Sequence, residues 1–448
     1  MGRLHLVSIA SDPKYNTRLG DIATEFEYQY KHFENVDAFA DQIGDEQVML
    51  TVFSAVHLNQ ASDIAGSIQV IKQFVPDSFV TVIVEKRISP DAISFIKKSG
   101  ANLVLMEHSF FSTSQIDYVC SQIIKGSLVP IKASELKPNT MIDFNVLVVM
   151  PLNKKILPVA FAGSELSEAK YKKLVESKEL YIRRDDLNKF NTYCEKHVDL
   201  SAAGIAARCR LKYLNLCKAH SELVYLLIDQ GAAASFGQGK ILMEDCERLA
   251  SDLLTNLASV EDPYAIINSS SMGESGSAER STSIAAMGGL LALSLTGAVA
   301  NDVVLAGLLS DFGLLELEPK VLKKMRSKGV AGLDAVDMET YVQHPTMSIN
   351  MCLSRKLPLP DRVKQIISCT HEQFNGKGFP KGVLGDKIPV ESQVIFFCQL
   401  VDEASLVKMG ERRRPVKEIQ QEILEKELLS SQRFGPQFLQ NIKTGLQS

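Results

Sequence analysis

The stretch His371-Glu372-Gln373-Phe374-Asn375-Gly376-Lys377-Gly378-Phe379-Pro380-Lys381-Gly382 leaves the end of a helix opened by Pro360-Asp361. Three glycines in seven residues, with Phe-Pro between them, prescribe a fixed irregular loop. Leu384-Gly385-Asp386-Lys387-Ile388-Pro389 follows, then an apolar helix over Val394–Val401. Working outward, Leu308-Leu309-Ser310-Asp311-Phe312-Gly313-Leu314 and His344-Pro345 stand upstream, and Phe434-Gly435-Pro436 stands downstream.

At 448 residues the chain is too long for one core and implies two to four domains. A net charge of −4 lacks the footprint of a general nucleic-acid binder. The 45% hydrophobic and 23% charged composition is ordinary for a soluble globular chain, and a cytoplasmic location is expected from the cysteine spacing. Eight cysteines, from Cys120 to Cys398, include no CxxC pair, which reads as reduced thiols rather than disulfides or a zinc knuckle. Met1–Ala10 does not read as a signal peptide. Ile284–Leu309 is apolar enough to raise a membrane span, but Asn301 and Asp302 interrupt it, so it reads as two buried helices.

Residues 1–127 alternate strands (Leu4–Ala10, Gln47–Phe53, Phe79–Val84, Asn102–Met106) with helices (Ile64–Phe74, Pro90–Lys98). Such alternation predicts a parallel sheet covered by helices. This segment resembles a response-regulator receiver domain, most clearly in Gly100-Ala101-Asn102-Leu103-Val104-Leu105 before the last helix. The resemblance implies an acidic pair, a phospho-acceptor aspartate and a lysine. Those places hold Ser11-Asp12, Ser54, and Glu107 or His108, so phosphotransfer is not expected. An unrelated doubly wound domain is the alternative.

Residues 128–200 read as an α+β module, with strands Phe144–Met150, Ile156–Phe161 and Leu180–Arg183 and helices Ser167–Ser177 and Asp185–His197. The remainder reads as all-α. A linker or dimerisation region covers 201–264, with long amphipathic stretches Ala202–Leu227 and Lys240–Leu257. A polar loop, Asn268–Ser277, precedes a helix over Arg280–Leu295 in the C-terminal domain, 265–448.

The ordered motifs of this last part resemble the HD-GYP family strongly. The resemblance implies hydrolysis of cyclic di-GMP at two or three iron or manganese ions, with metal-bound hydroxide attacking phosphorus. Carried over residue by residue, it leaves Asp311, His344 and His371 as the surviving ligands. Arg280 falls at the first histidine position, Ser310 and Thr370 at two further histidine positions, and Gln399 at the last aspartate position. Arginine has no lone pair to give a metal. Lys408 falls at a phosphate-contacting place, while Asp402 matches an aspartate that is not the usual ligand. The loop Gly376-x-Gly378-Phe379-Pro380 departs from the family only by Phe for Tyr, and implies contacts with diguanylate cyclase domains.

Several readings stay open. The first is a catalytically inactive HD-GYP-like signalling protein, acting by protein–protein interaction or cyclic di-GMP sensing. On it no cofactor is expected, and His344 and His371 are kept by local hydrogen bonds at helix ends. The second is a cyclic di-GMP phosphodiesterase with a reduced site, one Fe or Mn ion on Asp311, His344 and His371. A receptor that binds cyclic di-GMP through Lys408 and the loop lies between them. A homodimer through Ala202–Leu227 fits each. Arg412-Arg413-Arg414 reads as a solvated basic run.

Overall fold

The computed structural model describes residues 3–150, 156–177, 180–197, 199, 201–230, 236–270, 277–405, 414–430 and 432–447. The chain forms two compact units. One comprises Met1–Ile124, His220–Glu244 and Leu309–Pro389; the other comprises Lys125–Ala219, Asp245–Leu308 and Val390–Ser448.

The first unit begins with five strands: β1 (Arg3–Ile9), β2 (Tyr30–Phe33), β3 (Gln47–Ser54), β4 (Phe79–Val84) and β5 (Leu103–Met106). All pair parallel, in the order β2-β1-β3-β4-β5. This is a doubly wound order, whose chain reversal falls between β1 and β3. The central strands are runs of apolar residues, because helices cover both faces. Val7, Ile9, Val52, Val80 and Val82 are buried there. The four expected strands and two expected helices form. Strand β2 and the helices Pro13–Glu25, Val36–Gln42, Glu107–Ser112 and Gln115–Ile124 are additional.

Gln115–Ile124 is buried on nearly every face, unlike a surface helix. Its start is joined to the turn that follows Asp311. The Ser114 N–H donates to the Leu315 carbonyl (3.1 Å), and the Ser114 hydroxyl donates to that of Leu317 (2.8 Å). Gln115 Nε2 donates to Glu316 Oε1 (3.0 Å). Burial pushes the Asp117 carboxyl up, against the pull of Arg18, to which it is ion-paired.

The second unit carries β6 (Leu128–Ile131), β7 (Thr140–Ile142), β8 (Val146–Val149), β9 (Ile156–Ala160), β10 (Ser164–Leu166) and β11 (Leu180–Arg183). They form an antiparallel sheet ordered β6-β11-β8-β9 and a pair β10-β7. Phe144, Phe190 and Tyr193 pack with Leu211 and Leu214 of the helix Ala202–Ile228. The buried Arg210–Glu135 pair (2.7 Å) ties that helix to the module. From residue 201 the described secondary structure is helical, apart from one isolated bridge, Asn375–Leu384.

Ile284–Leu309 forms two helices, Ser277–Leu293 and Ala300–Leu309. No helix among the described residues is long and apolar enough to cross a membrane. Both ends of the expected polar loop Asn268–Ser277 are helical, since Ser277 opens the helix Ser277–Leu293. Asn268, Ser269 and Ser270 complete the helix Pro263–Ser270, and 271–276 lie outside the described residues.

Candidate functional site

Three side chains that the sequence spaces across sixty residues converge in the first unit. One ligand atom from each of Asp311, His344 and His371 lies within 4.8 Å of the others. Among the described residues this is the one such group of three or more. Asp311 ends the turn after the helix Ala300–Leu309. His344 opens the helix His344–Ser354, where Pro345 suits a first-turn position because no intrahelical bond needs its missing N–H. His371 follows the helix Asp361–Ile367 by a short turn.

His344 is 1% exposed and His371 8%. His344 Nδ1 lies 2.7 Å from the Tyr341 carbonyl. A carbonyl only accepts, so Nδ1 carries the proton and Nε2 presents a lone pair. That Nε2 stands 3.0 Å from His371 Nε2 and 3.9 Å from Asp311 Oδ1. Two ligand bonds of about 2.1 Å meeting near a right angle place their donor atoms about 3 Å apart. The two imidazole nitrogens are spaced for one divalent ion, and the Asp311 carboxylate oxygen lies beside them as a third candidate donor. The Tyr341 carbonyl supplies the outer contact that such histidines use to fix their tautomer.

The glycine loop is built into this group. Phe379 stacks on His371, with ring centroids 4.7 Å apart and planes 15° apart, and meets Tyr341 edge-on at 5.6 Å. The Phe379 N–H donates to the His371 carbonyl (3.2 Å). The buried Glu372 carboxylate accepts from the N–H groups of Lys381 (2.8 Å) and Val383 (2.9 Å). Gly378 is obligatory, since a Cβ there would meet Gln373 N at 2.3 Å and the His371 carbonyl at 2.5 Å. Gly376 takes φ +76°, and the peptide before Pro380 is cis.

The other sequence-derived positions divide between the units. Ser310 is buried in the first unit, and Thr370 donates its hydroxyl to the Ile367 carbonyl (3.0 Å). Arg280 and Gln399 belong to the second unit. There Arg280 pairs with Asp402 and Glu403, each at 3.5 Å, and Gln399 is buried in the helix Val390–Ser405. Lys408, Arg412 and Arg413 lie outside the described residues; Arg414 pairs with Glu422 (2.5 Å).

At the carboxyl ends of the parallel strands, Asp12 caps the helix Pro13–Glu25 through the Lys14 N–H (2.9 Å), and Ser54 ends β3. Glu107 follows β5. An ammonium is present, but Lys14 supplies it: Nζ lies 2.8 Å from Glu107 and 3.2 Å from Asp12. The Tyr15 hydroxyl donates to Glu107 (2.7 Å). Lys14, then Tyr15, hold the Glu107 carboxyl below its usual value, and Glu107 raises Lys14 in turn.

Sequence reasoning missed three contributors to the first-unit site: Tyr341, the loop-holding role of Glu372, and Ser348, whose hydroxyl bonds the Gly313 N–H and the Ser310 carbonyl beside Asp311. Tyr341 lies three residues before His344 and Ser348 four after it, so helical spacing was the available signal.

Residues 261–421 match the family described as "HD domain", so the chain carries an HD domain there. Among solved structures, the chain is similar to Bd1817, described as a HDG"Y"P protein from Bdellovibrio bacteriovorus. That likeness is 17% identical, covers 72% of this chain and 100% of that one, and has a TM-score of 0.43. It is also similar to the HD domain of the phosphodiesterase PgpH from L. monocytogenes, at 15% identity over 36% of this chain and 88% of that one, with a TM-score of 0.25. The same domain in complex with cyclic-di-AMP gives 15% identity, 36% and 87% coverage, and 0.24. No curated protein matches.

Proposed function

We propose that this chain is a catalytically silent signalling protein of HD-GYP type, which binds a cyclic dinucleotide or a partner domain without turnover. The observation that carries this reading is the three-residue donor set of Asp311, His344 and His371. It suffices for one ion but not for a multinuclear centre. At the positions where the resemblance puts further ligands, Arg280 is ion-paired and Thr370 bonds backbone. A divalent ion at the three residues, when bound, supplies a positive centre for a phosphate oxygen. Asp311, His344 and His371 would hold it, while Phe379 stacks on His371 and Glu372 bonds the loop amides of Lys381 and Val383.

Cyclic di-GMP is the nucleotide the resemblance implies; the PgpH neighbour is described with cyclic-di-AMP. The receiver-like reading of residues 1–127 supplies an input domain without phosphotransfer. Diguanylate cyclase domains and a second copy of the chain are the proposed protein partners; most of the apolar face of Ala202–Leu227 is already buried within the chain itself.

A second reading, a phosphodiesterase with a single-ion site, is favoured by the same convergence. One experiment separates them: incubate the full chain with Mn²⁺ or Fe²⁺ and cyclic di-GMP or cyclic di-AMP, while titrating binding by calorimetry. Binding with the nucleotide recovered intact is expected. Metal-dependent appearance of linear dinucleotide or mononucleotide supports the second reading. Neither binding nor turnover leaves only a protein-partner role.

A further inference from the structure

We infer that Ser348 is a positioning residue, which sets the Asp311 carboxylate opposite the imidazole of His344. His344 and Ser348 are four apart in one helix and so share a face. Ser348 is fully buried. Its Oγ accepts the Gly313 N–H (2.7 Å) and donates to the Ser310 carbonyl (2.6 Å), with the His344 carbonyl 3.0 Å away. A single hydroxyl therefore holds the backbone on both sides of Asp311. It holds it to the helix turn that presents His344.

The approach is close enough to dictate a second residue. A Cβ on Gly313 would lie 2.0 Å from the His344 carbonyl oxygen. Gly313 lets the turn reach the helix, and Ser348 fixes it there. An alanine at 348 keeps the helix but leaves the Gly313 amide and the Ser310 carbonyl without this partner. The turn is then free to carry Asp311 away from its 3.9 Å separation from His344 Nε2.

This role rests on the proposed single-ion site. The test titrates the metal-depleted full chain with Mn²⁺ alone, by calorimetry, for wild type, Ser348→Ala, Ser348→Cys and Ser348→Thr. Thermal unfolding by circular dichroism accompanies each. Loss of an outer contact weakens metal affinity about 10–100-fold. Ser348→Ala is expected to fall in that range, Ser348→Cys to lie between it and wild type, and Ser348→Thr to restore binding, all at similar unfolding midpoints. If Ser348→Ala does not fold, the cysteine variant carries the comparison. Wild-type binding with equal affinity in the alanine and cysteine variants overturns the positioning role alone. Losses that merely follow falling unfolding midpoints overturn it too. Absence of Mn²⁺ binding by wild type overturns the single-ion site itself, and this role with it.

Discussion

His344 and His371 meet Nε2 to Nε2 at 3.0 Å, with both rings buried. With the Nδ1 proton of His344 committed to Tyr341, His371 is the donor of this bond when no ion is present. The two rings therefore support each other before any metal binds. Substituting one removes a buried partner from the other, a loss of about 1–3 kcal/mol. His344→Ala and His371→Ala should each lower stability, and the double variant should lose less than their sum. A coupling energy of about 0.5–3 kcal/mol from denaturant unfolding of the four proteins is the expected result. Strict additivity would show that the contact contributes nothing.

Glu372 holds the glycine loop through two charged hydrogen bonds, to the amides of Lys381 and Val383. Bonds to charged groups contribute about 1.5–3 kcal/mol. Glu372→Ala should release the loop, and Glu372→Gln should do so less, because the amide oxygen still accepts. Limited trypsin digestion reads this directly at Lys377 and Lys381. Faster cleavage there in the alanine variant is expected; wild-type rates would refute the holding role.

The motifs around His371, His344 and Asp311 were legible because each is carried by a short, ordered run of residues. Their convergence was not, because it depends on how turns separated by tens of residues pack. Strand β2 escaped notice for a local reason. Tyr30-Lys31-His32-Phe33 is short and half polar, with only Phe33 buried, so period-two alternation has nothing to work on. The resemblance implies an ammonium just after β5, whereas Lys14, in the helix that Asp12 caps after β1, brings one to Glu107 instead.

Gly378 and Gly66 should respond with opposite sign to the same methyl group. At Gly378 the new Cβ meets backbone atoms at 2.3–2.5 Å, which cannot move without taking His371 with them. Gly378→Ala should destabilise by about 1–3 kcal/mol or more, as overpacking does. Gly66 lies inside the helix Ala61–Phe74 with nothing within 4 Å of its would-be Cβ. Gly66→Ala should stabilise by about 0.5–1 kcal/mol through helix propensity. Unfolding midpoints that move in the same direction for both would contradict the packing described.

The Lys14–Glu107 contact makes the α/β region acid-sensitive in a defined window. Lys14 and then Tyr15 hold Glu107 below its ordinary 4.5, and the Lys14 N–H holds Asp12 below 3.8. A carboxyl depressed in the folded state binds its proton more readily when unfolded. Its stabilisation is therefore complete above the ordinary value and disappears as the pH falls through the lower folded value. Glu107→Gln removes that titration. The stability gap between wild type and this variant should be constant from neutrality down to 4.5, then close as acid is added. Lys14, raised above 10.5 chiefly by Glu107, gives the mirror behaviour: its share is whole below 10.5 and is lost as the pH rises past its folded value. The chain has no tryptophan, so circular dichroism in urea is the suitable probe. A gap that persists unchanged through the acid range would place the stabilising contact elsewhere than at Glu107.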